Sequence, residues 1–247
     1  MYRKGRSSIH TDGVDHLYQA VPGGRLNRLC RQRSHMTDAH GFVLPPLLQT
    51  SMEISLLAIA MILLLAPKDR RLPEAITMIL LATAGRILMS PLPNVQPVTV
   101  LVMLTAIRLG AMRGASLGIL TAYLSNVYLG GGAWTIVQAL SWGSIGLLTG
   151  IISSRLVDDN NELCVSSFCG FSILAAFVFG LLVSLPLILD GGMTVWLAGI
   201  PFDLLHAIGN ITIAVWTLDM IDDYVEVRWK WVRPDLNRGL TAPSRQV

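Results

Sequence analysis

Apolar residues in this chain run in long unbroken blocks, separated by short polar or glycine-rich cuts. After a polar opening, Leu47–Ala66 is the first block, ending at Pro67-Lys68-Asp69-Arg70-Arg71. Pro73–Met89 follows, with a proline in its opening turn, where a missing N–H costs nothing. Then come Pro97–Leu109, which is short, and Gly114–Leu129, Trp134–Ser154 and Ser166–Leu189. A brief piece, Met193–Ile200, precedes Pro201–Ile221, whose proline reads as a helix start. A helix crosses a bilayer with about 20 apolar residues, whereas a membrane strand needs about 10 in alternation. The blocks do not alternate. The pattern predicts an all-α integral membrane protein: a six-helix transmembrane bundle over residues 73–221 and one additional N-terminal helix over 47–66.

Composition agrees. The 247 residues are 52% hydrophobic and 14% charged, against about a quarter charged in soluble domains, and no length is left for a separate soluble domain. From Gly85 to Gly150 there is no Asp or Glu. Residues 1–46 are polar, rich in Arg, Gly, Ser and His, and read as a disordered tail. A basic arm for acidic lipid or nucleic acid is the sharper alternative there, and no nucleic-acid partner is expected. Residues 222–247 form a charged tail in which Trp229 and Trp231 flank Lys230, as at a membrane interface. Cys164 and Cys169, near the start of one block, read as small packing residues.

Positive charge is distributed unevenly. Lys68, Arg70, Arg71, Arg108, Arg113 and Arg155 fall in or beside the connections 67–73, 109–113 and 155–165. The intervening connections, 90–96, 130–133 and 190–200, carry none. The positive-inside rule then predicts a multi-pass protein of the cell (plasma) membrane with a cytoplasmic C-terminus. Seven spans would leave the basic opening segment outside, against that rule. Residues 1–35 are therefore expected not to belong to the functional protein, with Met36 a candidate start.

Polar residues inside the blocks carry the candidate chemistry. In Pro91-Leu92-Pro93-Asn94-Val95-Gln96-Pro97 three prolines forbid a continuous helix. Irregular backbone at membrane depth must be buried in protein or line a wet cavity. Asn94 and Gln96 would then serve a ligand, or cap helix ends in a rigid turn. Asn126 precedes a Gly130-Gly131-Gly132 cut, after which Trp134, Gln138 and Trp142 recur every four residues on one helical face. That stripe suits a flat ligand with a polar rim, although Trp134 at a span end is also a common interface anchor. Asp203, His206 and Asn210 share a face at i, i+3 and i+7. Asp203 close behind Pro201 could serve only the helix dipole, but His206 and Asn210 have no such role. Arg86 would snorkel to the interface, or pair with a ligand or an inner carboxylate. Small residues at Gly114, Gly118 and Ala122, and at Gly143, Gly146 and Gly150, allow close helix packing within the bundle or against a partner.

No P-loop, H-E-x-x-H, G-x-S-x-G or paired-Cys pattern is present, so ATP chemistry in this chain, a metal and a resident cofactor are not expected. The succession GR…PLPNVQPVT…SN…GGGAWT..Q…WG…G, with FDLLHAIGN near the end, resembles the substrate-binding S component of energy-coupling factor (ECF) transporters. The resemblance covers about Pro73–Ile221. It implies a six-helix protein, not an enzyme, that binds a vitamin or similar micronutrient at its outer face. It also implies docking to a membrane T component that carries two cytoplasmic ATPase subunits. Cobalamin-type S components resemble it most, which makes a cobalamin-like ligand the favoured one.

Carried over by motif, the implied substrate-binding residues are Arg86, Asn94, Gln96, Asn126, Trp134, Gln138, Trp142, Asp203, His206 and Asn210. The family's first helix carries small residues four apart for docking. Here Ala75 is followed by Ile79 and Ala82 by Arg86, so Ala75 and Ala82 are candidates without a clean pair. Two other classes remain: a membrane scaffold whose polar residues only pack helices, and an intramembrane enzyme using Asp203 and His206 as acid and base.

Overall fold

The computed structural model describes residues 44–157 and 163–224, with backbone alone for Asp190 and 218–224. The opening segment, including the position of Met36, and the tail beyond residue 224 lie outside the described residues. Within them the protein is helical, with seven α-helices joined by short connections. These are α1 (Pro46–Leu65), α2 (Leu72–Leu88), α3 (Val98–Leu109), α4 (Ala111–Leu129), α5 (Ala133–Ile152), α6 (Val165–Gly191) and α7 (Thr194–Tyr224). The segments Pro46–Leu65, Ala133–Arg155, Val165–Leu189 and Thr194–Thr217 are each long and apolar enough to cross a membrane. Their outward residues, among them Ile62, Leu80, Ile151, Leu174 and Ile208, are exposed and apolar. So broad an apolar surface fits a lipid surround.

α3 is the packing centre. Its 12 residues are all buried except Arg108, and α2, α4, α5, α6 and α7 pack around it. A helix of that length reaches about 18 Å, well short of a bilayer core of about 30 Å. The missing length is made up by the 89–97 connection, which descends into the bundle. Two glycines admit it. A Cβ at Gly85 would strike the Pro97 ring, and one at Gly209 would lie 3.1 Å from Val95. Asn94 turns this segment with φ 59°, a left-handed conformation that asparagine tolerates better than most residues.

α4 and α5 form the most extensive helix pair. Their contact is glycine-lined on both sides. A Cβ at Gly118 would sit 2.6 Å from the Trp142 carbonyl carbon, and one at Gly146 would strike the Gly114 backbone. The small-residue ladder therefore works within the bundle. α1 adds a single stripe, Leu56, Ala60 and Leu64, and Ser116 Oγ donates to the Ala60 carbonyl at 2.9 Å. α6 and α7 pack mainly on each other.

Three expectations are corrected. Pro201 does not begin a helix, because α7 runs from Thr194 and carries the proline in its interior. Neighbouring helices satisfy the freed backbone of such a proline. Ala75 and Ala82 are buried inside the bundle at 1% and 0% exposure, so they offer no docking surface in this conformation. Cys164 stands at the N-cap of α6 and accepts a hydrogen bond from Ser167 at 3.2 Å, while Cys169 alone packs against the core.

One end of the bundle gathers the ion pairs. Arg113 Nη2 reaches Asp69 at 2.6 Å and the Pro67 carbonyl at 3.2 Å; Arg108 pairs with Glu74, and Arg71 Nη1 donates to the Arg108 carbonyl at 2.9 Å. The Arg113 hydrogen bond, first of all, holds the Asp69 carboxyl below its ordinary value. A depressed carboxylate stabilises the fold above its unfolded pKa and loses that effect as pH falls through the folded value. Asp69→Asn should therefore melt below the wild type at pH 7, and thermal melting at pH 3 should show the gap narrowed.

Candidate ligand-binding site

At the opposite end the polar residues of the blocks converge. Arg86 lies in the last turn of α2 and is 5% exposed. Its Nε donates to Gln96 Oε1 at 3.2 Å and its Nη2 to Gln138 Oε1 at 3.0 Å. Nη1 donates to Asn126 Oδ1 at 2.8 Å and to Ser125 Oγ. The guanidinium carbon stands 5.0 Å from the Trp142 ring centroid, a cation–π arrangement. α2, the 89–97 connection, α4 and α5 thus meet on one side chain. Asn126 closes the network, donating from Nδ2 to Thr135 Oγ1 and to Gln138 Oε1, both at 2.9 Å.

A second set of contacts runs from Trp142 toward α7. Trp142 Nε1 donates to Thr99 Oγ1 at 3.1 Å, and that hydroxyl pairs with His206 Nε2 at 2.9 Å. Phe179 of α6 fills the space between, with ring centroids 4.6 Å from Trp142 and 5.2 Å edge-on from His206. Thr99 is in the first turn of α3, yet it meets the tenth residue of α5. Nine residues of helix rise about 14 Å, so the 89–97 connection brings α3 in at that depth.

Asp203, His206 and Asn210 all face inward on α7, at 5%, 5% and 0% exposure. Because α7 starts a full two turns earlier, Asp203 is not at a helix N-terminus. Its carboxylate abuts α6 at Gly180, where a Cβ would overlap it, and Oδ2 has no hydrogen-bond partner. Asn210 Nδ2 donates to the Ser172 carbonyl at 3.1 Å, which makes it a tie between α6 and α7.

The structure sorts the ten sequence candidates into groups. Arg86, Gln96, Asn126, Gln138 and Trp142 form one connected cluster, to which His206 is joined through Thr99. Asn94 stands apart: its Nδ2 donates to the Phe202 carbonyl at 3.1 Å, pinning the descending connection to α7. Trp134 is half-buried against the core at the start of α5. Asp203 and Asn210 line the α6–α7 side. Ser125 stands beside Asn126 in the SN motif, whereas Thr99 and Phe179 were missed. Thr99 carried a signal, a hydroxyl at the head of a mainly apolar block, whereas Phe179 sits in an apolar run and carried none. No group of His, Cys, Asp and Glu that could hold a metal occurs among the described residues.

The electrostatics single out Arg86. Among the described residues it is the one Lys or Arg away from the ion-pair end, and no Asp or Glu pairs with it. Moving a cation out of water costs several kcal/mol even after relaxation. Here neutral amide and hydroxyl oxygens and an indole face offset it. Asn126→Ala removes three of the hydrogen bonds just described, and loss of partners to a buried charge costs about 2–3 kcal/mol. Asn94→Gly keeps the left-handed backbone, removes one exposed bond and should cost about 1 kcal/mol or less. Melting curves of the detergent-purified proteins should reproduce that order. Compared with family models, with curated proteins and with solved structures, the chain finds no match.

Proposed function

We propose that this chain is the substrate-binding subunit of an ECF-type transporter, importing a vitamin or similar micronutrient. The observation that carries the reading is the Arg86 cluster: a buried cation held by Gln96, Ser125, Asn126, Gln138 and Trp142, at the end of the bundle away from the ion pairs. Most of these positions belong to the motifs that resemble S components. A buried charge assembled from four segments is costly and inside a membrane marks function by default.

In this reading α2–α7 are the six-helix unit and α1 is the additional helix. The ion-pair end is cytoplasmic by its Lys and Arg content, and the Arg86 cluster faces outward. The chain lies in the plasma membrane, with α7 leading to a cytoplasmic C-terminus. ATP hydrolysis is supplied by two partner ATPases through a membrane T component, which docks on a face other than Ala75 and Ala82. The cobalamin-like ligand remains the favoured candidate, for which Trp142 offers a ring face and the glutamine and asparagine amides a polar rim.

A scaffold reading draws on one specific observation, that internal acceptors already occupy Arg86. The two part on a single preparation. Affinity-purified protein expressed at native level should bring down a T component and two ATPases, and mass spectrometry should find a small molecule released on denaturation. Trp142→Ala should retain about tenfold less of it, the loss expected from removing a main aromatic contact. A wild-type preparation with neither partners nor released compound would leave the scaffold.

A further inference from the structure

The Arg86 cluster also points to the chemical class of its ligand, an inference that rests on the substrate-binding reading above. A guanidinium presents its donors in a rigid plane. Its Nε–H and one Nη2–H lie side by side along one edge, a fork that matches two oxygens of a carboxylate or phosphate. The two sides of Arg86 are held differently. Nη1 is fixed by Ser125 and Asn126, consecutive residues of α4 buried at 0% and 5% exposure. The Nε/Nη2 edge is covered only by two side-chain amides, Gln96 at 3.2 Å and Gln138 at 3.0 Å.

Gln96 comes from the irregular 89–97 connection, whose Asn94–Phe202 tie is an exposed hydrogen bond. Of the two N–H groups on Nη2, one has a partner among the described residues. The charge itself is not neutralised by any described acid. Asp203 abuts Gly180 on the α6–α7 side, and Trp142, Phe179 and His206 follow in succession from the guanidinium toward α7. The guanidinium is therefore enclosed by neutral polar groups and unmatched in charge.

We propose that the Nε/Nη2 edge of Arg86 receives an anionic oxygen group of the ligand, a carboxylate or a phosphate, in place of the Gln96 and Gln138 amides. α4 holds the guanidinium from behind, and the Trp142 ring keeps its plane. Gln96 leaves with the 89–97 connection when the ligand enters and returns when it departs. A neutral ligand would exchange one set of uncharged acceptors for another, and would leave the buried charge as it was.

The test is equilibrium dialysis of the purified full-length chain in nanodiscs against paired compounds that share a scaffold and differ in the anionic group. Nicotinate with nicotinamide and biotin with its carboxamide form the carboxylate arm. Riboflavin 5′-phosphate with riboflavin and cobinamide phosphate with cobinamide form the phosphate arm. In at least one pair the anionic member should bind about 10- to 100-fold more tightly, as a charge-assisted bidentate contact predicts. Which arm responds names the group. Arg86→Gln should bring the preferred member down to the affinity of its uncharged partner, and Arg86→Lys should keep part of the preference. Binding without that preference in every pair that binds, the anionic member never more than about threefold tighter than its uncharged partner, would overturn the inference while leaving a binding subunit in place. Binding of no compound in either arm would overturn both. The wild-type contrast needs no variant, so it decides the question even if Arg86→Gln fails to fold.

Discussion

A helix too short to cross a bilayer sits at the centre of this protein, and the rest of the bundle answers to it. α3 is buried on nearly all sides, so its start lies inside the bundle and not at a surface. The chain entering it must descend through apolar surroundings with its backbone polar groups satisfied. The prolines of Pro91–Pro97 remove donors that would otherwise need partners, and Gly85 and Gly209 clear the path. Gln96 is carried inward by the same descent and meets Arg86. Had α3 been full length, Gln96 would stand at the surface and Thr99 would lie far from Trp142 and His206.

Close packing and buried charge then act at separate places. The α4–α5 contact is tight because glycines let the backbones approach, and that places Asn126 and Gln138 within 2.9 Å of each other. Dispersion between such surfaces is the chief attraction available inside lipid, where apolar burial gains little. Arg86 draws on that rigidity. A guanidinium in so dry a setting is tolerated because its neighbours on α4 and α5 are already positioned by helix packing and need not reorganise to meet it. The ion pairs at the other end, Arg113 with Asp69 and Arg108 with Glu74, are different in kind: charge there is matched by charge.

Much of this was legible in the sequence. Long unalternated apolar blocks marked the helical character and the four helices long and apolar enough to cross a membrane, and the polar residues and tryptophans within them marked Arg86, Asn126, Gln138 and Trp142, because a polar side chain in such a block needs a partner. Three things were not legible. Pro201 looked like a start because proline favours the first turn, yet the same residue sits inside a helix once neighbours satisfy its backbone. Ala75 and Ala82 looked available because small residues serve close contacts, and whether those contacts are internal depends on which face turns inward. The link from Thr99 and Phe179 to the cluster depends on the depth of α3, and depth is set by the packing of the whole bundle.

The central claim is that the polar cluster at Arg86 is a ligand site that opens through the 89–97 connection. An experimental structure of the protein with its retained or added ligand tests it most directly. The account predicts ligand density against the Nε/Nη2 edge of Arg86 and beside the Trp142 ring, with Gln96 displaced and Ser125 and Asn126 unmoved. Ligand bound elsewhere, with Gln96 and Gln138 still on Arg86, would contradict it.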